Sequence, residues 1–241
     1  MLPLRDTIRT YSFPIVNWII IGVNTLAFLF EVNLAPRAFN QLILTYGLVP
    51  SQLHLSNPLY LVGHPQSLIP LFTHMFLHGG WLHILSNMWI LFIFGDNVED
   101  RLGSGRYLIF YLASGLVAGL IQASVAPSSN IPAIGASGAI AGVLGAYFLL
   151  YPRARVVTLI PIFIIPWFVE IPAIFYLGFW FISQLFSGFT SLNLPEGANI
   201  GGVAWFAHIG GFLFGLLVVR IFAPKIHPAI ARRFPEQYWP E

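Results

Sequence analysis

Six stretches of this chain, near 15–33, 79–95, 105–123, 134–151, 167–186 and 201–222, are apolar over the length of a bilayer-spanning helix. A hydrocarbon core of roughly 30 Å asks for about 20 such residues at 1.5 Å each. Composition excludes the soluble alternative: 57% of the residues are hydrophobic and 8% charged, against about 25% charged in soluble domains. A net charge of +2 without any Lys/Arg stripe excludes a nucleic-acid binder. The absence of cysteine removes disulfides, thiolate metal sites and a cysteine nucleophile. The run from Ile15 to Phe30 lacks a small-residue cleavage site after it, so it reads as a retained span. The expected fold is therefore an all-α membrane protein, a polytopic bundle of six transmembrane helices.

Positive residues set the orientation. Arg5, Arg9, Arg101, Arg106, Arg153, Arg155, Arg220, Lys225, Arg232 and Arg233 fall on one side of this layout and Arg37 alone on the other. Because Lys and Arg near span ends stay cytoplasmic, both termini are expected inside. The organisation is a cytoplasmic segment 1–14, a membrane domain 15–222 and a cytoplasmic tail 223–241. With no Arg-rich, acid-poor targeting stretch at the N-terminus, a prokaryotic inner membrane fits best.

Polar side chains inside spans are costly and so are the functional suspects. Span two opens with His74, His78 and then His83-Ile-Leu-Ser-Asn87; span four opens with Gly135-Ala136-Ser137-Gly138; span six contains Ala207-His208-Ile209-Gly210-Gly211. All three spans start at the outer face, which puts Ser137, His208, His83 and Asn87 in one layer roughly 5 to 10 Å deep. A serine needs a base to take its proton, so Ser137 is the candidate nucleophile and His208 its base. Gly135, Gly138, Ala141 and Gly211 are small enough to let the two helices meet. Ser137 falls in the first turn of its helix, where unpaired N–H groups and the dipole favour an oxyanion, and His83 and Asn87 can add donors. No acidic residue lies at this depth, so the constellation is a Ser-His dyad. A neutral His208 is required, so activity should fall at acid pH.

These residues resemble the rhomboid family of intramembrane serine proteases, over about 45–222. The likeness rests on Thr73-His74-Met-Phe-Leu-His78 leading to His83-x-x-x-Asn87, on Gly135-Ala136-Ser137-Gly138, on Ala207-His208-Ile209-Gly210-Gly211, and on the six-span layout. It implies Ser137 as nucleophile, His208 as general base, and an oxyanion hole of His83, Asn87 and the Ser137 N–H. It further implies single-span membrane-protein substrates cut near the outer face and reached sideways through the bilayer past span five, with no cofactor. Two features depart from the family. The Trp-Arg pair of the first connection is replaced by Ile69 and Pro70, and the aromatic one turn after the nucleophile by Ala141. What braces that connection stays open, as does what packs under the His208 ring, with Trp205 and Phe206 the substitutes on offer.

Other features read structurally. Gly115 and Gly119 are ordinary helix packing. Asp96-Asn97-Val-Glu99-Asp100-Arg101 reads as a polar helix end with internal charge pairing, and Glu170 as reaching the interface, Arg153 or Arg155. Pro161 and Pro166 mark an interfacial loop. His54, His64 and His227 form no pattern. Two rival functions use the same histidines: a zinc site on His74, His78 and His83, which lacks the usual carboxylate or cysteine partners, and a non-proteolytic membrane protein that binds or transports a ligand through a His-lined outer cavity.

Overall fold

The computed structural model describes residues 1–53, 63–162, 165–192 and 203–223. The described helices, in chain order, are α1 (Ile15–Glu31), α2 (Pro36–Tyr46), α3 (Pro70–Thr73), α4 (Trp81–Leu102), α5 (Ser104–Val125), α6 (Ser137–Leu150), α7 (Ala173–Ser191) and α8 (Trp205–Phe222). Pro36 and Pro70 open their helices at a position where a missing N–H costs nothing. A single residue, Gly103, joins α4 to α5 with a φ of 80°, a left-handed conformation that glycine adopts without strain. Helices α5, α7 and α8 are each long and apolar enough to cross a membrane, and Pro65–Phe76 with α4 passes the same test as a pair bent by 80°. Two further apolar helices are shorter, α1 with 17 residues and α6 with 14.

Side-chain placement is that of a protein dissolved in lipid. Helix α7 buries only Ala173, Leu177, Gln184 and Gly188, one stripe at helical spacing. Its other faces expose Phe175, Phe179, Ile182, Phe186 and Phe189. Helix α1 repeats the arrangement, burying Asn17, Ile20, Asn24, Phe28 and Glu31 while exposing Ile19, Leu26 and Phe30. Helix α6 is instead enclosed on every face, with Gly138 through Tyr147 all buried, as an all-round apolar helix must be at the centre of a bundle.

Helices α6 and α8 touch backbone to backbone. A Cβ on Gly211 would collide with the Gly138 carbonyl, one on Gly145 with the Phe212 carbonyl, and one on Gly215 with the Gly142 carbonyl. Such contact gains dispersion energy where lipid offers no hydrophobic drive. It also places His208, one turn before Gly211, beside Ser137, which precedes Gly138. Gly115 and Gly119 do more than fill space: a Cβ on either would press on Met75 or His74 of the bent segment.

Three features depart from the sequence expectation. The stretch expected as an interfacial loop is a hairpin of β2 (Arg155–Ile162) and β3 (Ile165–Pro172), paired in register from Arg155↔Pro172 to Ile162↔Ile165. The chain start, β1 (Leu2–Asp6), adds to β2 antiparallel, with Leu2↔Leu159 as the last pair. Pro161 thus lies beyond the reach of β1 and withholds no ladder bond from it. The apolar stretch at 167–186 consequently divides between β3 and α7. Third, the acidic run reaches across to the chain before and at the start of α1: the Glu99 carboxylate accepts from Val16 N (3.0 Å) and Asn17 N (2.7 Å), and Asp100 accepts from Ser12 N (2.8 Å). Pro14 precedes α1 and offers no side-chain cap, so the orphan N–H groups of the first turn take an acid from α4. Glu170 does meet Arg155, at 3.7 Å.

Candidate active site

Ser137 is the first residue of α6, and His208 lies in the first turn of α8. Their side chains meet: His208 Nε2 is 2.8 Å from Ser137 Oγ. The preceding Gly135 has a φ of 122°, which a residue with a side chain rarely adopts. Its N–H donates to the His74 carbonyl at 2.9 Å, tying the strand of chain before Ser137 to the bent segment. The start of α8 is held similarly, since Gln122 of α5 accepts from Ala207 N at 3.2 Å.

His83 and Asn87 lie on the Gly135 side of this pair. A Cβ on Gly135 would be 2.6 Å from His83 Nε2 and 3.6 Å from Asn87 Nδ2, so the missing side chain is what gives both groups room. The Gly79 N–H points at His83 Nδ1 at 3.4 Å, leaving the ring proton on Nε2, toward Gly135. Asn87 Nδ2 donates to His78 Nε2 at 3.0 Å, and His78 is anchored through its own N–H to Glu31 of α1 at 3.0 Å, so an acidic residue does stand beside this cluster, contrary to the sequence expectation, although it meets the His78 backbone and not His208. Among the sequence-flagged packing residues, Gly138 and Gly211 meet at the α6/α8 joint, and Ala141 is fully buried against Gly211.

Of the histidines of the alternative zinc site, His78 and His83 stand edge-on with ring centres 5.0 Å apart, and His74 is engaged elsewhere. His74 Nδ1 lies 2.7 Å from the Pro70 carbonyl, whereas His78 is engaged with Asn87. Among the described residues no group of three or more His, Cys, Asp or Glu is arranged to hold a metal ion.

The missing Trp-Arg pair has local replacements. Thr73 Oγ1 donates to the Tyr46 carbonyl at 2.6 Å, Leu48 and Ala133 exchange backbone bonds of 3.0 and 2.8 Å, and Ser51 Oγ reaches Asn130 Oδ1 at 2.8 Å. Beside the His208 ring stand Trp205, edge-on with ring centres 6.1 Å apart, and Trp180 of α7, tilted at 6.0 Å. Phe206 pairs with Phe189 instead. Sequence reasoning passed over Trp180 and also over Gln184, whose Oε1 is 2.8 Å from His208 Nδ1. The signal was available: Gln122 and Gln184 are amides inside otherwise apolar helices, and such groups turn inward to a partner.

Comparison with known proteins agrees with this geometry. Residues 65–225 match the Rhomboid domain. The chain is 36% identical over 166 residues to the rhomboid protease GluP of Bacillus subtilis, covering 66% of this chain and 29% of the relative. It is 30% identical over 169 residues to RHOMBOID-like protein 1 of Arabidopsis thaliana, covering 67% and 36%. It is 27% identical over 191 residues to the human mitochondrial presenilin-associated rhomboid-like protein, covering 76% and 46%. The chain thus spans less than half the length of these relatives. With a matching domain over most of its length and a serine and histidine in contact at the joint of two glycine-packed helices, this integral membrane protein belongs to the rhomboid family.

Proposed function

We propose that this chain is an intramembrane serine endopeptidase that hydrolyses peptide bonds in or next to transmembrane segments of single-span membrane proteins. The observation that carries the reading is the 2.8 Å approach of Ser137 Oγ to His208 Nε2, with His83 and Asn87 gathered around Gly135. Ser137 Oγ attacks the scissile carbonyl carbon while its proton passes to His208 Nε2. The tetrahedral oxyanion forms over the first turn of α6, within reach of the Ser137 N–H, His83 Nε2–H and Asn87 Nδ2–H. Its collapse breaks the C–N bond, with the proton going from His208 to the leaving amine. Water, deprotonated by the same imidazole, then hydrolyses the acyl ester.

The depth of the site supports the intramembrane part of the reading. Helix α6 has 14 residues, a length of about 21 Å against a core of roughly 30 Å. Irregular backbone at such depth is tolerated where it is covered by protein or lines a watery cavity. We further propose six spans with both termini cytoplasmic, in a prokaryotic inner membrane, a reading supported by the Lys/Arg distribution. The cysteine-free sequence makes this simple to test. Ser128→Cys should react with an impermeant maleimide from outside intact cells and Gly105→Cys only after lysis; the reverse would refute the orientation.

The activity is tested with a single-span substrate reconstituted beside the enzyme in liposomes. Wild type should release two fragments, Ser137→Ala and His208→Ala none, and the wild-type rate should fall on acidification as the imidazole gains a proton. A substrate that Ser137→Ala cuts as fast as wild type would refute the assignment, and a rate unchanged down to pH 4 would remove His208 as the base.

A further inference from the structure

We propose that Gln184 of α7 is a positioning residue for the base, a neutral third member that holds His208 in the one tautomer able to accept the Ser137 proton. The inference rests on the protease reading above. It follows from a chain of hydrogen bonds in which each donor is determined by the one before.

The chain starts at the Trp180 carbonyl, which can only accept. Ser183 Oγ donates to it at 2.6 Å, and the side-chain amide of Gln184 approaches it at 3.3 Å. The end of the amide that faces a carbonyl must carry hydrogen, so this end is Nε2; the same nitrogen donates to Ser183 Oγ at 3.0 Å. Oε1 therefore points the other way, to His208 Nδ1 at 2.8 Å. An amide oxygen has no proton to give, so Nδ1 carries the ring hydrogen and donates it. In the neutral imidazole Nε2 is then bare, and it is Nε2 that lies 2.8 Å from Ser137 Oγ. The proton needed at the start of catalysis has one direction in which to move.

Burial makes this arrangement selective. Gln184 is 6% exposed and sits in the inward stripe of a helix whose remaining surface faces lipid. A polar group there is costly unless bonded, so the amide is held to its partners. Helix α7 is seated on α8 by Phe181, stacked on Phe212 at 4.5 Å, and by Gly188, where a Cβ would lie 3.1 Å from Ile209. The acceptor thus comes from a different helix than the ring it orients, and the orientation depends on α7 being seated. The other groups around the ring are Ser137 of α6, the uncharged Trp180 and Trp205, and His83 of α4, the one titratable neighbour that acts on it among the described residues.

The test compares Gln184→Leu and Gln184→Glu with wild type by kcat, KM and the pH profile of cleavage. Gln184→Leu removes the acceptor at similar volume, and kcat should fall about 10- to 100-fold, a loss of the size seen when the partner that orients a metal-bound histidine is removed, with KM nearly unchanged. Gln184→Glu keeps an acceptor and should retain most of kcat. Its acid limb should move to higher pH, because a carboxylate on Nδ1 stabilises the imidazolium. A structural role alone would lower thermal stability in both variants and leave the acid limb in place. If Gln184→Leu does not fold, the acid limb of Gln184→Glu still decides. Wild-type cleavage with Gln184→Leu within twofold and an unmoved limb in Gln184→Glu would overturn the inference alone. An inert wild type would overturn it together with the protease reading.

Discussion

The two ends of α6 both carry buried polar groups, but the groups do different work. At the C-terminal end Tyr147 donates to Asp6, Asn97 Nδ2 donates to the same carboxylate at 2.8 Å, and Glu99 caps the first turn of α1. Here side chains from β1, α4 and α6 close one another off and complete backbone bonding. At the N-terminal end, about 15 Å away along the helix, the bonds run from Trp180 through Gln184 and His208 and stop at Ser137 Oγ. One set of bonds closes on the Asp6 carboxylate and on the backbone N–H groups of α1 and ties the chain start to the bundle. The other terminates on a hydroxyl with a base behind it. Buried polarity therefore marks chemistry only where the last group in the chain is one that can react.

That contrast implies that substitutions at the Ser137 end change rate and those at the Asp6 end change stability. The largest effect short of the dyad itself is Asn87→Ala, which should lower kcat about 100- to 1000-fold, as loss of one oxyanion donor does, together with a stability loss of about 1 to 3 kcal/mol from the His78 acceptor it leaves unpaired. That loss of stability with full rate retained would leave Asn87 as a support for His78 alone. Gly215→Ala tests the joint that connects the two ends. Its Cβ would strike the Gly142 carbonyl, backbone that cannot rotate away, so stability should drop by about 1 to 3 kcal/mol and rate should drop with it as α8 shifts. An unchanged midpoint would show that the helices can separate without cost.

At the other end, Glu99→Ala removes the cap on Val16 N and Asn17 N. It should destabilise by about 0.5 to 2 kcal/mol with the rate per folded molecule unchanged. The last prediction concerns Asp6, whose carboxyl is pushed up from 3.8 to about 7 by burial, with the Tyr147 hydrogen bond opposing and the charge of Asp96 adding to the rise. The folded chain then holds a proton that the unfolded chain has released between about pH 4 and pH 7, so stability declines as pH rises through that window and levels off above it. Thermal unfolding in micelles from pH 5 to pH 8 should show the decline in wild type and a flatter line in Asp6→Asn. Parallel lines would mean that Asp6 is ionised throughout.

Reading the sequence reached the two ends unequally, and the reason is physical. Membrane-length helices are legible because bilayer thickness sets a run length that composition alone reveals, and the Gly138/Gly211 approach is legible because small residues recur at helical spacing. Ser137 and His208 share a depth that can be counted from span ends. The hairpin at 155–172 is different. Apolar on both faces and broken by Pro161 and Pro166, it has no alternation to separate it from a loop leading into a span, and its partner β1 lies some 150 residues away in sequence. The same distance problem hid the role of Glu99, whose partners are 82 and 83 residues distant. Gln184 was visible as an amide in an apolar helix, but an amide has no pKa or charge to mark it, and only the packing of α7 on α8 reveals what it faces.

The central claim is that Ser137 is a nucleophile activated by His208. Its most direct measurement is intact-mass analysis of detergent-solubilised protein after a fluorophosphonate, with Ser137→Ala and His208→Ala alongside. The account predicts one adduct on wild type, none on Ser137→Ala and a strongly slowed reaction on His208→Ala. Wild type left unmodified, while the same preparation leaves a single-span substrate intact, would contradict it and leave a membrane protein that binds or transports without cutting.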